Sequence, residues 1–242
     1  LINRVTNWPL IVLSYLFPGR HFQLHLDTGQ KFEIDHYLSA LAIKEIFLDR
    51  DYSPKSPHPQ VIIDIGANIG TFSVLMSGSF PKAQVYSFEP DKKTFILLTD
   101  NIKHNHCHNV TLINQGVSNK KGIAKFYSCQ ANGLSSLRKA STHFQVTPVR
   151  VQLTTLSDIV KKFRLKEIDI LKIDAEGAEF DILLKQPQPQ FKTIKEIILE
   201  YHDLLTPHHY EELVAKLHRI GYKIIVRPHP LENNIGIIHA YR

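Results

Sequence analysis

The stretch VIIDIGANIGTFSVL, residues 61–75, constrains the fold more than any other part of the chain. Five residues suited to a buried strand run straight into Gly66-Ala67-Asn68-Ile69-Gly70, and an apolar helical pattern follows. A strand that ends in glycines and opens into a helix is a nucleotide-type turn. Open α/β sheets bind their ligands at the carboxyl ends of such strands. Gly66 and Gly70 permit a left-handed backbone or a close approach of backbone to ligand. A tight turn with close helix packing would need the same glycines, so the turn alone leaves both readings open.

The rest of the chain repeats the rhythm. Short apolar runs recur at 84–88, 110–114, 168–173 and 194–200, mostly separated by segments able to form helices. Strands alternating with helices predict a parallel sheet covered on both faces. Two last runs, 222–226 and 235–241, are joined only by RPHPLENN. That link is too short for a crossover and predicts an antiparallel pair. Between 115 and 167, GIAKFYS and PVRVQL read as an inserted antiparallel pair, followed by a helix over 156–163. For the last helix, Thr206 is the expected N-cap, Pro207 the first residue and Gly221 the stop. Residues 1–60 read as an extension ahead of a domain over 61–242. The extension holds an apolar segment at 8–17, a hairpin about Asp27-Thr28-Gly29, a helix over 37–49 and a proline-rich connector at 52–60.

Composition narrows the function classes. The 242 residues are 43% hydrophobic, enough for one sizeable core. The net charge of +6 is compatible with an anionic ligand, but the Lys and Arg residues are scattered, which disfavours a nucleic-acid footprint. Two cysteines outside any metal-ligand spacing argue against a disulfide scaffold and lean towards a reducing, cytoplasmic setting. The apolar segment WPLIVLSYLF is shorter than the roughly 20 residues a bilayer span takes, so no transmembrane helix is expected.

Acidic residues at the strand ends sharpen the ligand. Glu89 closes VYSFEP, 25 residues after Asp64, where a carboxylate can accept hydrogen bonds from ribose hydroxyls. The same acid would also suit a helix N-terminus. Asn68 and Thr71 stand where a dinucleotide fingerprint has its second and third glycines, which argues against a docked pyrophosphate and against a dehydrogenase. A ribose acid without a pyrophosphate loop suggests a nucleoside ligand lacking phosphates. Asp64 would then suit a cationic end of that ligand.

The motifs IIDIGANIGTFS, VYSFEP, NQGVSNKKGIAKFY, GLSSL, VQLTTLSDI, IDILKIDAEGAEFDIL and IILEYH, in that order, resemble the FkbM-type S-adenosylmethionine-dependent methyltransferases over roughly residues 35–240. The resemblance implies an α/β, Rossmann-like class I methyltransferase. Its sheet would have seven mostly parallel strands with the last antiparallel. It implies S-adenosylmethionine as cofactor and S-adenosylhomocysteine as product. Asp64, Gly66, Asn68 and Gly70 would form the methionine-side loop. Glu89 would hold the ribose, and Gly116, Val117 and Ser118 would lie beside the adenine. One departure is Ser157 in TLSD, where the family shows two consecutive acids; it concerns a helix start.

Chemistry is expected where LKIDAEGAE and ILEYH end. Lys172 and Asp174 share a side of their strand, as do Glu200 and His202. Asp174, which would also neighbour the cofactor, Glu176 and His202 are the candidate bases, with Lys172 beside them. Helix capping and ion pairing are the structural alternatives for these groups. No segment supplies a metal-ligand set, so no metal is expected. The implied reaction is O-methylation of a small-molecule or glycan hydroxyl, with specificity residing in 1–60 and 115–150. RNA or protein methylation, and a non-catalytic partner module that binds the cofactor, remain as alternatives.

Overall fold

A computed structural model describes residues 2–129, 146–230 and 232–242. The GLSSL motif, residues 133–137, lies outside the described residues. In chain order, helix α1 (Pro9–Leu16) leads into the hairpin β1 (Phe22–His25) and β2 (Lys31–Ile34). Helix α2 (Tyr37–Lys44) then widens into a π-helical turn, Glu45–Asp49. There follow β3 (Val61–Ile65), α3 (Thr71–Ser79), β4 (Gln84–Phe88), α4 (Lys92–His104), β5 (Val110–Ile113) and β6 (Gly116–Val117). Next come β7 (Gly122–Cys129), β8 (Val146–Thr154), α5 (Leu156–Lys162), β9 (Ile168–Ile173), α6 (Glu179–Leu184) and α7 (Gln188–Phe191). The chain closes with β10 (Ile194–His202), α8 (Tyr210–Ile220), β11 (Lys223–Pro228) and β12 (Ile235–Tyr241).

Seven strands form the central sheet in the order β11-β12-β10-β9-β3-β4-β5. The last strand, β12, is antiparallel to both its neighbours, and the remaining pairs are parallel. This is the Rossmann-like arrangement that the apolar runs predict. The β7–β8 pair is antiparallel and stands in a separate three-stranded sheet with β6. Strand alternation feeds both faces. Ile63, Leu171 and Ile197 meet Leu156, Phe180 and Leu213 of the helices on one side. Ile62, Ile170 and Ile198 meet Phe72 and Met76 of α3 on the other, together with Tyr52. All six residues of β9 are buried, as expected of a strand covered on both faces.

The N-terminal extension shares this core. Leu24, Phe32, Ile34 and Ile43 join Ile69, Val74 and Leu98 in one cluster. The Asn101 side chain of α4 accepts from the Glu33 amide and donates to the Glu33 carbonyl, completing the β2 edge. Two buried acids then pin the connector across the sheet. Glu196 accepts from the Lys55 and Ser56 amides, and Asp169 accepts from the Gln60 and Val61 amides. The connector therefore follows a fixed path, and that path sets Tyr52 beside the sheet. No helix among the described residues is long and apolar enough to cross a membrane.

The start of the last helix needs correction. Thr206 does not cap α8: its hydroxyl accepts from the His208 amide in a local turn. His209 is the N-cap, with the Glu212 side chain closing a capping box, and Gly221 ends the helix in the left-handed region as expected.

Candidate active site

The carboxyl ends of β3, β4 and β9 open on a narrow cleft. Gly66, Asn68, Glu89, Gly116, Val117, Asp174 and Glu176 line it, with Phe88 and Phe126 as apolar walls. Gly66 is fixed by sterics. A Cβ there would stand 1.6 Å from the Asp174 carbonyl oxygen, so the β3 and β9 loops can touch only through glycine. Asn68 and Glu176, both on the cleft wall, adopt left-handed backbone with φ of +49°. Non-glycine residues rarely do so, and such outliers concentrate at ligand sites.

Glu89 is 6% exposed and does two jobs in the loop. One carboxylate oxygen accepts from the Asn68 amide at 3.0 Å and the other from the Asp91 amide at 2.8 Å. Burial pushes its pKa up to about 8, against the pull of those two amides. The α4 N-cap is Asp91, not Glu89, which leaves Glu89 facing the cleft. The Asn68 carboxamide oxygen is buried there without a hydrogen-bond partner. A buried orphan acceptor calls for a donor, and the ammonium of a methionine-type ligand is one. The Glu89 carboxyl, the orphan Asn68 amide and the apolar walls thus fit S-adenosylmethionine. Replacing Glu89 with alanine is expected to weaken S-adenosylhomocysteine binding by roughly 1.5–3 kcal/mol per charged hydrogen bond removed. Calorimetry checks this, and an affinity unchanged within threefold would refute the assignment.

Three residues expected at the cofactor stand behind the cleft instead. Asp64 is fully buried and absent from the lining. Its carboxylate accepts from Ser73 Oγ at 2.6 Å and lies 3.3 Å from Lys172 Nζ. The helix α3 covers that face of β3, so the acid anchors the loop rather than facing a ligand. Gly70 is the N-cap of α3, with φ +92°, and a Cβ there would press on Leu98 of α4 at 2.6 Å. Ser118 is buried and its amide is spent on the Thr154 carbonyl. Gly116 and Val117 do line the cleft.

The catalytic candidates meet at the cleft mouth. Lys172, 4% exposed, donates to the Gly66 carbonyl at 2.8 Å and stands 3.5 Å from Asp174 Oδ2. Burial works against its charge, but Asp64 and Asp174 outweigh that and hold its pKa above the usual lysine value. Lys172 is therefore a fixed cation that ties the two loops together. His202 is 7% exposed, with Glu176 at 3.6 Å from Nε2 and Glu179 at 3.3 Å from Nδ1. Burial opposes its charge too, yet Glu176 and Glu179 raise its pKa well above the ordinary imidazole value.

Two side chains beside the candidate site escaped the sequence reading as site residues. Glu200 lies between the cleft and the extension, and Tyr52 Oη donates to its Oε2 at 2.9 Å. Burial first, then the neighbouring Asp174, pushes the Glu200 pKa up to about 7. The strand-end pattern EYH signalled Glu200, since it shares a side with His202. Nothing local signalled Tyr52, which arrives from 148 residues away. Ligand-type atoms of Asp174, Glu200 and His202 lie within 4.8 Å of one another, a set that could hold a metal ion. It comes from two separate strand ends, so no single segment displays it.

Comparison with known proteins agrees with this architecture. Residues 64–224 match the family described as Methyltransferase FkbM domain. The 31-O-demethyl-FK506 methyltransferase FkbM of Streptomyces tacrolimicus is 24% identical, over 91% of this chain and 93% of that protein. The hexuronic acid methyltransferase AglP of Haloferax volcanii is 27% identical, over 64% of this chain and 62% of that protein. The crystal structure of methyltransferase FkbM from Methylobacillus flagellatus superposes with a TM-score of 0.53 at 15% identity. That match covers 82% of this chain and 48% of the other, and it speaks for the fold. The chain belongs to the FkbM methyltransferase family, and S-adenosylmethionine is its cofactor.

Proposed function

We propose that this methyltransferase acts on a hydroxyl oxygen of a sugar or natural-product acceptor, and that Glu200 takes the hydroxyl proton. The observation that carries the reading is the Glu200 carboxylate. It has a pKa of about 7, is oriented by Tyr52, and lies beside Asp174 at the mouth of the cofactor cleft. When bound, S-adenosylmethionine supplies an activated methyl group. The protein's remaining work is to place the hydroxyl, exclude water and accept a proton. Asp174 and Glu176 form the wall on the acceptor side of the cleft, and the Asp174 amide is bonded to the Ile65 carbonyl, which fixes that wall. His202 stands between Glu176 and Glu179, and Glu179 accepts from the Ala175 and Gly177 amides. A base with a pKa near the working pH is better matched to proton removal than a histidine whose pKa is raised well above the ordinary value.

The relatives support oxygen as the target. One is described as a 31-O-demethyl-FK506 methyltransferase, and another, from Sinorhizobium fredii, as a 2-O-methyltransferase. The acidic cleft mouth disfavours RNA as acceptor. The scarcity of cysteine supports a cytoplasmic setting. The test is methyl transfer from labelled S-adenosylmethionine across hydroxyl acceptors, with calorimetry against S-adenosylhomocysteine and NAD. Tight NAD binding with none of the adenosyl ligands would sink the reading.

A catalytic metal is not part of this proposal. Lys172 Nζ, 3.5 Å from Asp174, already supplies positive charge beside that set. Turnover is therefore expected to be the same after exhaustive EDTA treatment as with added Mg²⁺. Loss of activity in EDTA, restored by Mg²⁺, would reassign Asp174, Glu200 and His202 as metal ligands.

A further inference from the structure

A second cavity, of about 350 Å³, is lined by Glu200, which is not part of the cofactor cleft. Its walls come from the π-helical turn and the connector, through Glu45, Asp51 and Tyr52, and from the end of β11, through Arg227 and His229. The two cavities share a partition. Glu200 lines the second, Asp174 lines the first, and their carboxylate oxygens lie within 4.8 Å. A hydroxyl seated against Glu200 from this side would face the mouth of the cofactor cleft. The size is in the range of small-molecule sites and is ample for a monosaccharide unit.

The lining chemistry is one-sided. Four carboxylates, those of Glu45, Asp49, Asp51 and Glu200, face two cations, Lys44 and Arg227. Both cations are engaged: Lys44 pairs with Asp49, and Arg227 donates to the Asp51 carbonyl. The Asp174 and Glu176 carboxyl groups stand just behind the partition. Carboxylates and a phenol suit the hydrogen-bonding pattern of vicinal hydroxyls. A carboxylate or phosphate on the acceptor would meet like charge in a partly desolvated cavity, where repulsion is weakly screened.

We infer that this cavity is the acceptor site and that it selects hydroxyl acceptors bearing no negative charge, with an uncharged hexose-type ring as the occupant. The inference rests on the methyltransferase reading above and specifies its acceptor. It also gives the N-terminal extension a role in specificity, because Glu45 and Asp51 belong to that segment.

The experiment compares methyl hexopyranosides with the matching methyl hexuronides as acceptors, at saturating S-adenosylmethionine and pH 8. It uses the wild type and the double variant Glu45→Gln/Asp51→Asn. S-Adenosylhomocysteine affinity is measured in parallel as a check on folding and on the cofactor cleft. The wild type is expected to prefer the neutral ring by at least tenfold in kcat/KM, and the double variant should narrow that ratio at least threefold through the uronide. Equal use of the two acceptor classes, or an unchanged ratio in the variant, would overturn the inference. Methylation of neither class, with S-adenosylhomocysteine bound normally, would overturn it as well while leaving the methyltransferase reading intact. Failure of the wild type to bind S-adenosylhomocysteine would instead remove the reading on which it rests.

Discussion

Replacing Lys172 with methionine is expected to cost the fold about 3–5 kcal/mol, the usual loss when one partner of a buried ion pair is removed. The ammonium holds three things at once: the Gly66 carbonyl, Asp64 and Asp174. Methionine keeps much of the side-chain volume, so the loss is mainly electrostatic. Asp64 would be left fully buried, with only Ser73 Oγ bonded to its carboxylate. The double variant Lys172→Met/Asp64→Asn removes the stranded charge and should recover most of the stability. Urea unfolding of the three proteins measures both effects. A loss below about 1 kcal/mol in the single variant, or a double variant less stable than the single, would show that Lys172 is not the counter-ion that holds the loop. S-Adenosylhomocysteine affinity should also fall in the single variant, because the Gly66 carbonyl loses its donor and Gly66 lines the cleft.

That role for Lys172 marks the boundary of what the sequence displays. The sheet was legible because each central strand is a continuous apolar run between polar segments, and burial on both faces requires this. The short link before β12 made the antiparallel end legible for the same local reason. Asp64 was read as facing a ligand because it sits near a strand end. Which face of β3 the helix α3 covers is a tertiary fact, and that coverage turned Asp64 inward to Ser73 and Lys172. Gly70 misled in the same way: its left-handed backbone serves the start of α3 and contact with Leu98, neither visible in the spacing. The cap of α8 slipped because Thr206 found a local partner two residues on, and the His209–Glu212 box took over. Glu89, Asn68 and Gly66 line the cleft because strand ends in an open α/β sheet point there whatever the detail. Tyr52 reaches Glu200 only through a connector held by Glu196 and Asp169, whose contacts span more than 100 residues of sequence.

Exchanging Glu200 for glutamine is expected to lower turnover by about 10²–10⁴-fold, the range that general acid–base catalysis contributes. Glutamine keeps the size of the side chain and an oxygen to accept from Tyr52, so the change isolates proton acceptance. The pH profile carries the sharper test. A carboxylate titrating at about 7 accepts a proton only when ionised, so the wild-type rate should rise about tenfold per pH unit below 7 and level off above it. In Glu200→Gln that limb should vanish. His202→Gln should retain it, because Glu176 and Glu179 raise the His202 pKa well above the ordinary imidazole value. Both variants must bind S-adenosylhomocysteine within threefold of the wild type for the comparison to stand. Should Glu200→Gln keep more than a tenth of the rate and the same limb, the proton goes elsewhere. Asp174→Asn, the remaining carboxylate at the partition, would then be the variant that loses turnover.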